Sequence, residues 1–75
     1  MLSKSVRLIF PPSLHDEPII NNLMRKYTFT VNILRANVTA DQGWIEIQIT
    51  GKALDIEESI LWLQEQGVEV DLLTN

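Results

Sequence analysis

The chain has 75 residues and a formal net charge of −4, and 45% of its residues are hydrophobic and 21% charged. A chain of this length forms one small globular domain and is too short for a binding domain joined to a catalytic one. Its composition excludes an acidic disordered tail and a collagen-like repeat. Ten acidic against six basic residues disfavour a nucleic-acid partner, and the absence of cysteine excludes disulfides, thiol nucleophiles and cysteine-held clusters or zinc.

The start of the sequence predicts no targeting segment. No apolar stretch of about 7–15 residues follows a basic start, and nothing approaches about 18 consecutive apolar residues. We therefore expect a soluble, cytoplasmic protein that does not insert into a membrane.

The first half of the chain predicts a strand followed by a helix. Residues 5–10 alternate between apolar and other side chains, and Pro11 and Pro12 end that strand. Asp16 is placed to cap a helix over residues 17–27, whose apolar residues recur at intervals of three and four.

The second half predicts a hairpin, a second helix and a last strand. Residues 28–38 are β-branched and alternating, residues 39–43 have turn chemistry, and residues 44–50 alternate most regularly of all. Asp55 and Glu58 have capping-box spacing at the start of the second helix. Gly67 is the expected terminating glycine, and residues 68–72 alternate as the fourth strand.

The order β-α-β-β-α-β is typical of the ferredoxin-like α+β fold. Right-handed crossovers then give a four-stranded antiparallel sheet in the order 4-1-3-2, with both helices on one face. All side chains assigned to the helix-facing side are apolar: Val6, Leu8, Phe10, Phe29, Val31, Ile33, Ile45, Ile47, Ile49, Val68, Val70 and Leu72.

The second strand is predicted to be an edge of this sheet. It is about eleven residues long, contains no proline and carries Arg35 as its single charge. An edge of this kind tends to pair with another chain. A domain of this size also buries a small share of its surface, so we expect a homodimer.

The triplet Asn32-Ile33-Leu34 in this strand resembles the motif after which the NIL domain family is named. The resemblance extends over nearly the whole chain, through positions on both sides of the triplet: Pro18, Ile19, Ile20, Leu23, Tyr27, Ala36, Gly43, Gly51, Ile60, Leu63 and Val68-Glu69-Val70.

The resemblance implies a regulatory domain with an ACT-like ferredoxin fold. The family is known chiefly as the C-terminal domain on the ATPase subunit of bacterial methionine importers, where it binds methionine and inhibits uptake. It also occurs joined to ferredoxin-type cluster domains. This sequence has neither the phosphate-binding glycine loop nor the cysteines of those fusion partners, so the resemblance implies a free-standing domain over residues 1–75.

Three residues of the second strand are the candidate ligand-binding residues: Asn32, Leu34 and Ala36. Alternation places them on the sheet face away from the helices. The amide of Asn32 can bind the carboxylate or ammonium group of an amino acid, and Leu34 and Ala36 can line a slot for its side chain. The same residues also suit a solvated or dry dimer contact.

Other chemistry-bearing residues have simpler interpretations. Trp44 is expected to cover the open sheet face rather than form a wall of the ligand site, Trp62 to lie at the edge of the core, and His15 to be a loop residue. Glu46, Glu69 and Asp71, with Arg7 between them, are interpreted as solvated or salt-bridged rather than as a metal site.

The sequence thus favours a non-enzymatic regulatory domain that binds a methionine-like amino acid at a dimer interface, without cofactor or metal. A protein–protein interaction module that uses the same surface and binds no metabolite is the alternative. An enzyme is disfavoured, since no nucleophile with a base, no metal set and no cofactor loop is present.

Overall fold

Six main elements follow one another in the predicted order in a computed structural model that describes residues 1–14, 16–39 and 43–74. They are, in chain order, β1 (Leu2–Phe10), α1 (Ile19–Lys26), β2 (Thr30–Val38), β3 (Gly43–Gly51), α2 (Ala53–Glu65) and β4 (Glu69–Thr74), with one 3-10 turn at Pro12–Leu14 after β1. The predicted hairpin turn at Asp41 and the predicted loop position of His15 lie outside the described residues.

The four strands form one antiparallel sheet in the order β2-β3-β1-β4. This is the predicted order 4-1-3-2 read from the other edge, so the predicted fold class is confirmed. The central strands β1 and β3 pair along their whole lengths, from Leu2 opposite Gly51 to Phe10 opposite Gly43. β2 and β4 form the two edges.

The core lies between the central strands and the two helices. Its buried apolar side chains are Val6, Leu8, Ile19, Leu23, Ile47, Ile49, Ile56, Leu63 and Val68. Half-buried Trp62 packs against this cluster, which confirms its predicted place at the core edge.

Two side chains of the predicted helix-facing set are not core residues: Ile33 and Leu72 are both more than half exposed. α2 packs on β3, β4 and α1, whereas Ile33 and Leu72 lie on the two edge strands of the sheet and stay in contact with solvent. The prediction that these two positions are buried was therefore wrong.

The helices begin at different residues from those predicted. α1 starts at Ile19 with Pro18 as its N-cap, and α2 starts at Ala53 with Lys52 as its N-cap. Neither cap residue makes a side-chain capping bond, so Asp16 does not cap α1, and Asp55 lies within the first turn of α2. Proline is well tolerated at the start of a helix, because its missing N–H would have had no intrahelical partner.

The end of α2 is as predicted. Gly67 has φ of 96°, a conformation that side chains with a Cβ rarely adopt. The N–H of Val68 bonds to the carbonyl of Leu63 and the N–H of Gly67 to that of Gln64, the two bonds of a Schellman motif. This turn directs the chain back onto the sheet as β4.

No helix within residues 1–14, 16–39 and 43–74 has the length and apolar character needed to cross a membrane.

Candidate functional site

The outer edge of β2 is the most unusual surface of the fold. Eight of the nine residues of β2 pair with β3, and among the described residues no strand lies along its other side. Three apolar side chains on this strand are largely exposed: Ile33 at 63%, Leu34 at 50% and Val38 at 71%. A nine-residue edge with exposed apolar side chains favours pairing with a further strand.

β2 contains a bulge that the alternation of the sequence does not predict. Ile33 lies opposite Ile47, but the next paired residue is Arg35, opposite Glu46. Leu34 is therefore an extra residue without a partner in β3. An extra residue reverses the alternation beyond it, because directly opposed residues share one face of a sheet.

The bulge separates the three predicted ligand residues. Asn32 lies opposite Gln48 and is exposed on the open face, as predicted. Ala36 lies opposite Ile45, in the helix-facing row, and Leu34 is the extra residue itself. The prediction that all three share the open face is thus corrected for Ala36, since the single inserted residue shifts the second half of β2 to the other phase.

Beyond the bulge, the open face carries an ion cluster that sequence analysis did not assemble. Glu46 on β3 accepts hydrogen bonds from Arg7 on β1 and from Arg35 on β2. The Arg7 Nε lies 2.9 Å from Glu46 Oε2, and the Arg35 Nε lies 2.8 Å from Glu46 Oε1. The regular pairing of β1 with β3 places Arg7 opposite Glu46. Arg35 reaches the open face only because of the bulge in β2.

The two guanidinium groups determine the electrostatics of this cluster. Hydrogen bonds from Arg35 and then from Arg7 hold the pKa of the Glu46 carboxyl below its usual value. The same bond to Glu46 raises the pKa of Arg35. Although the side chain of Glu46 is only 6% exposed, its carboxylate is charged because both arginines contact it.

Trp44 forms the floor beneath these arginines. The guanidinium carbon of Arg7 lies 5.2 Å from the centre of the indole ring, and that of Arg35 lies 5.8 Å from it, both within the range of cation–π attraction. Trp44 is half-buried opposite Ile9. It covers part of the open face, as predicted, and it also reaches the cleft described next.

The described residues also enclose an apolar cleft of about 260 Å³, beside the outer end of β2. It lies where the end of β1, the start of α1 and the hairpin strands meet. Glu17 is the charged residue of its lining, and the remaining lining is mainly apolar: Phe10, Leu14, Ile19, Ile20, Val38, Gly43, Trp44 and Ile45. A mainly apolar cleft with one charged group is suited to a small amphipathic ligand.

The acidic residues of β4 do not join Glu46. Asp71 lies opposite Arg7 and Glu69 opposite Ile9, so β1 separates both of them from β3. Within the part of the chain that the structure describes, no group of three His, Asp or Glu side chains is placed to hold a metal ion.

Comparison with known proteins identifies the family of this fold. The family model for the NIL domain matches residues 4–71. The chain is 31% identical over 71 residues to a methionine import ATP-binding protein MetN of Helicobacter pylori strain J99, covering 89% of this chain and 22% of that protein. It is 31% identical over 72 residues to MetN of Halalkalibacterium halodurans, covering 91% of this chain and 21% of that protein.

Solved structures show the same fold. The crystal structure of the C-terminal domain of an ABC transporter ATP-binding protein from Enterococcus faecalis superposes with a TM-score of 0.81 at 29% identity. The match covers 96% of this chain and 84% of that one. A de novo designed protein, with a TM-score of 0.60 and 11% identity, shares the fold alone. The chain spans about a fifth of the length of the curated relatives it matches.

Proposed function

Because the chain belongs to the NIL domain family, we propose that it is a regulatory domain that binds an amino acid, with methionine the first candidate, where two copies pair through β2. The observation that carries this proposal is the unpaired outer edge of β2 with its exposed apolar side chains. The domain acts by binding rather than by catalysis, on the cytoplasmic side of the membrane.

A second copy of the same strand is the simplest partner for this edge. Two β2 strands related by a two-fold axis run antiparallel, and each satisfies the free N–H and C=O groups of the other. Pairing also removes Ile33 and Leu34 from water, where each is at least half exposed. Such a contact offsets the small core of a 75-residue domain.

The cleft beside β2 supplies the surroundings that an amino acid needs. Its apolar lining fits an uncharged side chain, and the carboxylate of Glu17 can bind the α-ammonium group. Antiparallel pairing brings the first half of one β2 beside the second half of the other. Asn32 of the second copy would then lie near Val38 at the rim of this cleft, with its amide on the open face, the face that also carries Trp44. There it can bind the α-carboxylate of a ligand that extends from the cleft past Trp44.

The relatives indicate which amino acid to test first. The curated proteins that match this chain are named methionine import ATP-binding proteins. A thioether side chain is unbranched and uncharged, and it adapts to an irregular apolar cleft such as the one beside β2. Methionine is therefore the ligand that both the cleft and the relatives favour.

The proposal predicts a ligand-dependent stabilisation that requires Asn32. Methionine should raise the melting temperature, because a ligand at a hundred times its Kd stabilises the folded state by about 2.7 kcal/mol. Asn32→Ala should abolish this rise and leave the unliganded melting temperature nearly unchanged. Asn22→Ala is the matched control, since Asn22 is an exposed asparagine of α1 that lies neither on β2 nor in the lining of the cleft.

A fluorescence titration locates the ligand. In a Trp62→Phe background Trp44 is the single tryptophan, and it lines the cleft. Its emission should change with methionine and not with glutamate or lysine. If none of the twenty amino acids at millimolar concentration shifts the melting temperature, the amino-acid proposal is wrong. A dimer without any ligand response would instead support the protein–protein interaction module, which uses the same apolar edge.

A further inference from the structure

We infer that Arg35 is a positioning residue, which holds the bulge at Leu34 by binding Glu46 and so determines which side chains of β2 face the helices. The inference concerns the strand of a single copy. Its consequence for a second copy rests on the proposed function.

The bulge gives β2 two halves in different phase. Up to Ile33, residues face the open side or the helix side in simple alternation, with Ile33 opposite Ile47. After the extra residue Leu34, the phase is reversed, and Arg35 lies opposite Glu46. The polar Asn37 then faces the open side opposite Trp44.

A regular strand is the alternative state of the same sequence. Without the extra residue, Leu34 would lie opposite Glu46, Arg35 opposite Ile45 and Ala36 opposite Trp44. Leu34 and Ala36 would then join Asn32 on the open face. This is the arrangement that alternation of the sequence predicts, so some specific interaction must favour the bulged state.

The bond between Arg35 and Glu46 is that interaction. Only the bulged phase places Arg35 on the open face, where its Nε and Nη2 bind the two carboxylate oxygens at 2.8 and 3.1 Å. Charge-assisted bonds of this forked kind are among the strongest in proteins. The apolar gain at the end of the strand is small in comparison, because Val38 stays 71% exposed in the bulged phase.

The phase of β2 decides what a second copy meets. Opposed residues must share a face, and a pairing of two bulged strands centred between Leu34 and Arg35 meets this condition. It places Asn32 opposite Asn37 of the second copy and Ile33 opposite Ala36 of the second copy. In a regular strand paired about Leu34, Asn32 would lie opposite Ala36 instead. Arg35 therefore determines whether Asn32 of one copy lies opposite Asn37 or opposite Ala36 of the other.

Nuclear magnetic resonance of the whole domain tests the inference directly, through the pairing of β2 with β3 within one copy. The wild type should show backbone NOEs between Ala36 and Ile45, the pair of the bulged state. Arg35→Ala should replace them with NOEs between Ala36 and Trp44. Arg35→Lys, which keeps a cation that reaches Glu46, should restore the wild-type pattern.

Arg7→Ala is the matched control. Arg7 binds the same carboxylate but lies on the central strand β1, so its loss should weaken the cluster without changing the pairing of β2. The inference is wrong if Arg35→Ala keeps the connection between Ala36 and Ile45. It is also wrong if Arg7→Ala moves the connection as much as Arg35→Ala does, since the cluster would then act only by stabilising the sheet.

Disulfide trapping tests the consequence for the pair, and the chain contains no cysteine of its own. The variant N32C/N37C should form cross-linked dimers, while N32C/A36C should do so only when Arg35→Ala is added. Dimers that cross-link through N32C/A36C with Arg35 present would overturn this consequence. A wild type that sediments as a monomer would overturn the proposed pairing itself. The NOEs between β2 and β3 of one copy do not depend on that pairing.

Discussion

Ile47 and Ile33 lie directly opposite each other on neighbouring strands, yet Ile47 is completely buried and Ile33 is 63% exposed. Both point to the helix side of the sheet. The difference arises because Ile47 lies on a central strand on which α2 packs, whereas Ile33 lies on the edge strand β2. The side of a strand on which a residue lies is therefore a local property, whereas its burial depends on how far the covering layer extends.

The largest expected effect follows from this pair. Ile47→Asp should unfold the domain, since it places a carboxylate without a partner in the core at a cost of several kcal/mol. Ile33→Asp should change the stability of the monomer by less than about 1 kcal/mol, as is usual for an exposed position. Urea denaturation followed by circular dichroism measures both. Unfolding by both substitutions would show that β2 is covered in solution.

Ile33→Asp also tests the proposed pairing. A carboxylate at this position faces a second copy across the edge, and the same charge is present on both copies. Sedimentation at tens of micromolar should show a wild-type dimer and an Ile33→Asp monomer that is still folded. A wild-type monomer would contradict the proposed dimer, and an Ile33→Asp dimer would show that the copies do not pair through β2.

A second prediction concerns the end of β3, where the buried centre meets the segment that leads into β2. A Cβ added at Gly51 would lie 2.7 Å from the Cβ of Phe29, an atom next to the backbone that cannot move aside without it. Gly51→Ala should therefore destabilise the domain by about 1–3 kcal/mol. Thermal unfolding measures this loss.

Gly67 provides the comparison for Gly51. A Cβ there would lie 3.6 Å from Leu14 Cδ1, an ordinary contact, but the φ of 96° opposes it. Gly67→Ala should cost about 1 kcal/mol through strain alone, and Gly67→Asn less, since asparagine tolerates this conformation. A Gly51→Ala variant as stable as wild type would mean that Phe29 is less tightly packed than the structure shows.

The sequence predicted the centre of the molecule well because its patterns are local. The regular alternation in residues 44–50 matches a strand that is buried on one face, and Gly67 ends α2 through backbone geometry that glycine alone adopts easily. Right-handed crossovers then left one sheet order to consider. Each of these inferences depends on neighbours in the sequence or on general rules of chain connection.

The edge was predicted less well because its structure depends on distant contacts. Arg35 leaves the simple alternation to reach Glu46, eleven positions away on the next strand, and Arg7 joins from a third strand. The sequence signal was available: Arg35 is the one charge in an otherwise uncharged strand. An arginine in the helix-facing phase of an apolar strand indicates that the strand shifts its phase.

The last prediction uses pH to separate the edge cluster from the core. The pKa of Glu46 is lower in the folded chain than in the unfolded one, chiefly because Arg35 and then Arg7 donate hydrogen bonds to its carboxylate. In acid the unfolded state therefore binds more protons at this position than the folded state does, so the free energy of unfolding decreases as the pH falls. The stabilisation that Glu46 provides is complete above the ordinary pKa of a glutamate, about 4.3. It is lost as the pH falls through the lower pKa that Glu46 has in the folded chain.

Urea denaturation between pH 7 and pH 3 measures this slope. Glu46→Gln should flatten it, because glutamine does not titrate, and Arg35→Ala should flatten it in part, because Arg7 still donates to the carboxylate. Glu57→Gln on the exposed side of α2 is the control for the loss of one negative charge. If Glu57→Gln flattens the slope as much as Glu46→Gln, the acid sensitivity belongs to the net charge of the chain. A slope that only Glu46→Gln and Arg35→Ala reduce assigns it to the contact that joins β2 to the centre of the sheet.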